Sequence, residues 1–123
     1  MPLHVFGLIL VSVAISAVAQ IVLKYGMSSQ EVQRSIAGGG LDAALGIASN
    51  VYVWFGFGLY GLGAILWLGV LAKVDVGQAY PFVGLGFLLT MFFGVVILGE
   101  QFNLIRLLGT LLVLSGVILV AKG

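Results

Sequence analysis

The sequence predicts an all-α integral membrane protein built as a bundle of four transmembrane helices. Hydrophobic residues make up 62% of the 123 residues and charged residues only 7%, whereas about a quarter of a soluble domain is charged. The mean hydropathy is +1.27. Four apolar segments, each near the ~20 residues needed to cross a bilayer core, account for most of the chain. This composition excludes a soluble globular protein and leaves no length for a separate soluble domain among these residues.

The four segments are expected to form one membrane domain over residues 1–123. We predict spans over residues 3–24, 51–72, 76–98 and 103–121. Ala17-Val18-Ala19 resembles a signal-peptide cleavage site, but the first six residues hold no Lys or Arg, and a signal peptide needs a basic start. The first segment is therefore predicted to remain as a span.

The one long polar stretch, residues 26–50, predicts one short helix suited to the membrane surface and a second one that leads into the next span. Ser28 and Glu31 have the spacing of a capping box, so a helix should begin there and end before Gly38. A second helix is indicated by residues at helical spacing, namely Leu41, Ala44, Leu45 and Ala48. The stretch is either a surface element that gates or docks a partner, or a tolerated loop insertion, and the sequence leaves both interpretations open.

Short connections join the later spans. Asp75, with Gln78 three residues further on, predicts the start of the third span, and Asn103 predicts the N-cap of the fourth. Because these connections are only a few residues long, consecutive helices should be antiparallel neighbours.

The basic residues leave the orientation in the membrane open. Lys73 and Lys122 lie on the side of the termini, and Lys24, Arg34 and Arg106 lie on the other side. Two against three is a weak positive-inside bias. One fixed orientation, with the polar stretch in the cytoplasm, and a dual topology, in which copies insert both ways, are both compatible with it.

Polar residues recur at every fourth position of the first span: Ser12, Ser16, Gln20 and Lys24. This spacing places them in one slowly drifting row along the helix. Because an unpartnered polar group in hydrocarbon costs several kcal/mol, the row should face protein or water. Serines fit hydrogen bonds between helices, whereas Gln20 and Lys24 fit a cavity wall. Ser16, Gln20 and Lys24 are therefore candidate substrate-binding residues.

Two tyrosines complete the candidate site. One face of the second span carries Gly56, Tyr60, Gly63 and Trp67. Tyr60 is expected to line the cavity and Trp67 to pack. In the third span, Tyr80 precedes Pro81, which lacks a backbone N–H and should kink the helix at headgroup depth. The kink marks Tyr80 as another candidate substrate-binding residue, and an ordinary proline bend is the alternative.

No Asp or Glu lies inside any predicted span. A carrier that exchanges protons for cations needs a buried carboxylate to hold either ion in turn, so this class of transporter is not expected. Lys24 is the one Lys or Arg in the first three predicted spans, and its ammonium group would repel a cation and attract a phosphate.

Other counts exclude further classes of function. The chain has no cysteine, its single histidine is His4, and no P-loop motif occurs. We therefore expect no metal site, no cofactor and no enzymatic activity. A net charge of +1 without a basic run makes nucleic acid an unexpected partner.

Two glycines form a seam in the fourth span. Gly109 and Gly116 are one heptad apart, a spacing that permits close helix contact. The seam could pack inside the bundle or between two copies of the chain. Four helices of this size leave no room for a hydrophilic path among themselves, and this favours a dimer interface.

Several stretches resemble the small multidrug resistance transporters of the drug/metabolite transporter superfamily. They are residues 17–24, the spacing from Tyr60 to Tyr80, and the seam of residues 109–117. The resemblance implies a four-helix protein that works as an antiparallel dimer, with the last helix as the dimer seam. Where that family carries its proton- and drug-binding glutamate in the first helix, this chain has Ser16.

Residues 13–20, 66–71 and 76–81 are more closely similar to the lipid-carrier branch of that superfamily, the flippase subunits for aminoarabinose-phosphoundecaprenol. This branch implies a multi-pass protein of the bacterial inner membrane that translocates an undecaprenyl-phosphate sugar. Two different subunits pair in that system, so the resemblance implies a homodimer or a heterodimer with a related four-helix subunit. An exporter of small cations and a non-transporting assembly subunit are the alternatives.

Overall fold

The computed structural model describes residues 3–122, and this part of the chain is helical without strands. Seven α-helices follow one another as α1 (Leu3–Met27), α2 (Gln30–Ala37), α3 (Gly40–Ala48), α4 (Val51–Leu71), α5 (Val76–Ala79), α6 (Val83–Val96) and α7 (Leu104–Lys122). A 3₁₀ turn, Tyr80–Phe82, joins α5 to α6.

The apolar helices confirm the predicted fold class, a four-helix membrane bundle. Three helical segments are long and apolar enough to cross a membrane, namely Leu3–Met27, Val51–Leu71 and Val76–Val96. The fourth, α7, contains a shorter apolar stretch, Leu104–Leu119. The first helix extends three residues beyond the predicted end at residue 24. Successive spans therefore run in opposite directions. We call the end of the bundle with the start of α1 and the end of α7 the terminal end, and the end with α2 and α3 the loop end. The two halves of the bundle are named after these ends.

α1 is the central helix of the bundle. It packs against α4 and α6, while α7 lies at the edge against α5 and α6. One buried cluster of the core consists of Val5, Ile9, Val13, Val70 and Ala79. These residues come from the first half of α1, the end of α4 and α5, so this cluster lies in the terminal half of the bundle. Further buried side chains, among them Ala19, Ile21 and Val53, lie in the loop half. Trp67 packs against this core, as predicted.

Three predicted N-caps have different outcomes. Asn103 is confirmed, because its Oδ1 accepts hydrogen bonds from the backbone N–H groups of Ile105 and Arg106. The cap of α2 is Ser29, whose hydroxyl accepts from the N–H of Val32, so the prediction of Ser28 was wrong by one residue. Asp75 occupies the N-cap position of α5 with extended backbone, but its side chain makes no capping bond.

The polar stretch folds into a helical hairpin, α2 and α3, which is tied to the ends of two spans. The Gln33 amide donates to the carbonyl of Met27 at 2.7 Å, and the Asn50 amide donates to the carbonyl of Gly26 at 3.3 Å. Val32 is buried. Gly39 and Gly40 turn the chain between the two helices with φ of +76° and +42°, a region that L side chains rarely adopt.

Candidate functional site

The loop half of the bundle is organised by close contact between α1 and α4. A Cβ atom added at Gly56 would lie 2.7 Å from the Leu23 side chain, and one added at Gly63 would lie 2.9 Å from the Ser16 hydroxyl. Absence of a side chain at both glycines therefore lets the two backbones approach. The contact sets the register of the antiparallel pair, with Leu23 opposite Gly56 and Ser16 opposite Gly63.

The polar row of α1 divides into two parts. Ser12 is 2% exposed, and its hydroxyl donates to the carbonyl of Gly63 at 2.8 Å. It is the interhelical bond expected of a serine in a membrane helix. Ser16 is half-buried beside Gly63, and Gln20 and Lys24 are exposed on the bundle surface. The row thus leads from the packed interior to the surface at the loop end.

Gln20 and Lys24 continue the face of α1 that packs on α6. Val13 lies against Gly86 of α6, and a Cβ at Gly86 would be 3.3 Å from it. Ala17, Gln20 and Lys24 follow Val13 by four, seven and eleven residues, which is one helix face. Val13 and Ala17 are buried, whereas Gln20 and Lys24 are exposed. This face is therefore covered in the terminal half of the bundle and open toward the loop end.

Tyr60 lies at the same depth as Gln20. It follows Gly56 by four residues and precedes Gly63 by three, so it belongs to the α1-facing side of α4. The register places it level with residues 19 and 20 of α1. Its side chain is 46% exposed. Ser16, Gln20, Lys24 and Tyr60 thus gather in the loop half, and we call these four residues the polar patch.

Tyr80 lies at the opposite end of the same chain. It is 64% exposed and opens the 3₁₀ turn Tyr80–Phe82, where Pro81 is buried. The Phe82 ring packs edge to face on Phe6, with centroids 5.7 Å apart, and Phe6 lies in the first turns of α1. Within one chain, Tyr80 is therefore separated from Lys24 by most of the bilayer thickness.

Lys24 lies near the end of a helix that is longer than the hydrocarbon core of a bilayer. α1 has 25 residues and is about 38 Å long at ~1.5 Å per residue, which exceeds the ~30 Å of hydrocarbon. Lys24 is in its last turn. A lysine there can extend its ammonium group to the interface while its alkyl chain stays in the apolar region.

The acidic residues lie outside the four apolar helices. Glu31 is in α2 and Asp42 in α3, while Asp75 and Glu100 lie in connections. The Glu100 N–H donates to the carbonyl of Gly94 at 3.1 Å, which folds this turn back onto the end of α6. The polar patch itself therefore contains one charged group, and that group is basic.

An aromatic pair beside Lys24 was not identified from the sequence. The rings of Tyr25 and Tyr52 meet edge to face with centroids 4.8 Å apart, and both side chains are about half exposed. Trp54, also exposed, donates its indole N–H to the carbonyl of Ala48. Aromatic side chains with polar tips are typical of the membrane–water interface. Their position at the ends of two apolar segments of the sequence could have identified them as interfacial residues.

The glycine seam of α7 faces away from the bundle. Gly109 and Gly116 are exposed, and a Cβ at either would have no neighbour within 4 Å. The opposite side of α7 faces α6, since Leu114 is buried and lies against Gly84, and the Thr110 hydroxyl contacts the Met91 sulfur. The seam therefore takes no part in packing within the described chain.

Apolar helices of membrane-spanning length define a multi-pass membrane protein. The chain belongs to the EamA-like transporter family, whose family model matches residues 43–122. This finding confirms the resemblance drawn from the sequence.

Three similar proteins are each named as a probable 4-amino-4-deoxy-L-arabinose-phosphoundecaprenol flippase subunit. The Pseudomonas aeruginosa protein is 30% identical over 116 residues, which is 94% of this chain and 96% of that protein. The Pseudomonas fluorescens protein is 27% identical over 115 residues, or 94% and 95% of the two chains. The Pseudomonas savastanoi protein is 38% identical over 68 residues, which is 55% of this chain and 60% of that protein. No solved structure gives a significant match.

Proposed function

We propose that this transporter is a flippase for a lipid-linked anionic sugar, of the polyprenyl-phosphate type, in the bacterial inner membrane. The lipid tail stays in the bilayer while the phosphate-sugar headgroup crosses along the protein. The names of the similar proteins support this class of substrate.

One observation supports the proposal: Lys24 is the single charged group of the polar patch, and it is exposed in the last turn of α1. A lysine at the end of a span of this length can reach the headgroups. An ammonium group there favours a phosphate over a cation. The four apolar helices contain no Asp or Glu, so the buried carboxylate that a proton–cation exchanger requires is absent from them.

The other residues of the patch would replace water around the headgroup. The headgroup must pass about 30 Å of hydrocarbon, where each hydroxyl without a hydrogen bond costs several kcal/mol. Ser16, Gln20 and Tyr60 offer hydroxyl and amide groups along the loop half of that distance. Because their side chains are half-buried or exposed, a headgroup can reach them without unpacking the core.

A second four-helix subunit would supply the other half of the path. Tyr80 and Lys24 lie at opposite ends of one chain, so an antiparallel pair would bring Tyr80 of one copy to the membrane face of Lys24 in the other. The outward seam of Gly109 and Gly116 offers a surface for such a contact. The subunit is either a second copy or a related chain, since the similar proteins are named as subunits.

The patch contains no group that would couple transport to a proton gradient. We expect the lipid to move down its own concentration gradient, with later use of the sugar on the far side keeping that gradient in place. The two Lys24 side chains of an antiparallel dimer would receive the phosphate in opposite leaflets.

The test is a flip assay in proteoliposomes that contain an undecaprenyl-phosphate sugar. Lys24→Met should lower headgroup transfer about tenfold or more, because a charge-assisted hydrogen bond contributes roughly 1.5–3 kcal/mol. The matched control is Lys24→Arg, which keeps the charge and should retain most activity. If Lys24→Met transfers the lipid headgroup at the wild-type rate, Lys24 has no part in the mechanism. Proton-driven transport of ethidium without lipid transfer would contradict the flippase and identify the protein as a cation exporter.

A further inference from the structure

The outer face of α3 is apolar and has no partner in the chain. Leu41 is 73% exposed and Leu45 is 59% exposed. Ala44 and Ala48 are also exposed on this face. No residue of α3 is buried. The outer face of this nine-residue helix therefore presents apolar area that no residue of the described chain covers.

The opposite side of α3 is accounted for by α2. A Cβ at Gly46 would collide with the Ser35 side chain, so the two helices are in close contact there. Ala43, Gly46 and Ile47 are half-buried along this side. A groove between the helices is lined by the polar residues Arg34, Ser35, Asp42 and Ser49, together with Leu45 and Gly46. α3 therefore has a packed side, a polar edge and an apolar outer face.

The hairpin is held against the loop ends of α1 and α4. The indole N–H of Trp54 donates to the carbonyl of Ala48, the last residue of α3. Trp54, Tyr25 and Tyr52 are exposed aromatics at the loop ends of α1 and α4, which is where aromatic belts lie in membrane proteins. The Asn50 amide also donates to the carbonyl of Gly26 at 3.3 Å. These bonds fix the end of α3 beside the lipid-facing surface of α4.

We infer that the outer face of α3 lies in the bilayer interface, with lipid as its occupant. Leu41 and Leu45 enter the boundary between headgroups and acyl chains, and the edge that carries Asp42 and Ser49 faces the headgroups and water. This is the arrangement of an amphipathic helix that lies on a membrane. The apolar face is continuous with Val51 and Trp54 of α4, which are exposed and belong to a membrane span.

The polar stretch is thus a membrane-surface anchor. This role of the stretch is independent of which substrate the protein transports. Its short links to Gly26 and Met27 keep the end of α1 at a fixed depth. The anchor therefore holds the ammonium group of Lys24, three residues before the end of α1, at the height of the headgroups.

Single-cysteine labelling tests this inference directly, because the chain contains no cysteine. Ala44→Cys places a thiol on the apolar face, and Ser49→Cys is a near-isosteric control on the polar edge of the same hairpin. Both sites lie at the same end of the bundle, so any mixture of orientations in vesicles affects them equally. In proteoliposomes, a membrane-impermeant maleimide should label Ala44→Cys at least about tenfold more slowly than Ser49→Cys. A bimane label at position 44 should be quenched by lipids that carry a nitroxide near the headgroup.

Two results would overturn the inference. Equal labelling rates at positions 44 and 49, without lipid quenching, would show that the face is in water. Protection of position 44 that disappears when the protein is diluted into more lipid would identify a second copy of the chain as the occupant. The membrane anchor is supported if position 44 is labelled slowly both before and after dilution into more lipid, and if its bimane label is quenched by the nitroxide lipids.

Discussion

The hydroxyl of Ser12 donates a 2.8 Å hydrogen bond to the carbonyl of Gly63, 51 residues further along the chain. The bond joins α1 to α4 in the middle of the bundle, away from water. It forms because Gly63 has no side chain to hold the helices apart: a Cβ there would lie 2.9 Å from the Ser16 hydroxyl and 3.4 Å from the Ser12 carbonyl. The depth of Tyr60 relative to Gln20 follows from this contact.

Gly63→Ala should therefore destabilise the bundle. The added methyl group has to displace Ser16 or separate α1 from α4, and overpacking of this kind costs about 1–3 kcal/mol. The free energy of unfolding in detergent, followed by heat or by SDS titration, measures the effect. Gly58→Ala is the matched control on the same helix, since a Cβ there meets nothing within 4 Å. Equal stability of the two variants would show that α1 and α4 are not in close contact.

Gln20→Leu and Tyr60→Phe should each slow lipid transfer without unfolding the protein. Each removes polar groups from the patch, and one neutral hydrogen bond contributes about 0.5–1.5 kcal/mol, or roughly a two- to tenfold change in rate. The flip assay in proteoliposomes is the measurement. Ser49→Ala is the control, because the Ser49 hydroxyl bonds to the Leu45 carbonyl at the end of α3, outside the polar patch and the glycine seam. Wild-type rates in both patch variants would favour a non-transporting assembly subunit.

Gly109→Leu and Gly116→Leu should break subunit pairing while leaving the folded chain intact. Both positions are open in the described chain, so the new side chain meets no residue of its own bundle, yet it prevents close helix contact between subunits. Energy transfer between labelled subunits in liposomes should fall, and the unfolding midpoint of the chain should change little. Gly7→Leu, at another open glycine, is the control. Unchanged energy transfer would place the subunit interface elsewhere.

Local properties of the chain could be read from the sequence. The membrane class follows from hydropathy summed over each segment, and the helix of residues 40–48 follows from the spacing of its own residues. The Asn103 cap depends on the next three residues alone. The error of one residue at α2 has the same local origin, since two adjacent serines can serve as the cap and only the backbone path selects Ser29.

By itself, then, the sequence determined that this protein crosses the membrane in helices and carries a basic group without an acidic partner in its spans. Tertiary structure decided which side of each helix is covered. It buried Ser12 and exposed Gln20, although both belong to one polar row, and it turned Gly109 and Gly116 outward. The physical reason is that, apart from the polar row of α1, the spans are apolar on all sides, so hydrophobicity does not mark the buried face. Contacts between glycines and side chains on distant helices select it instead.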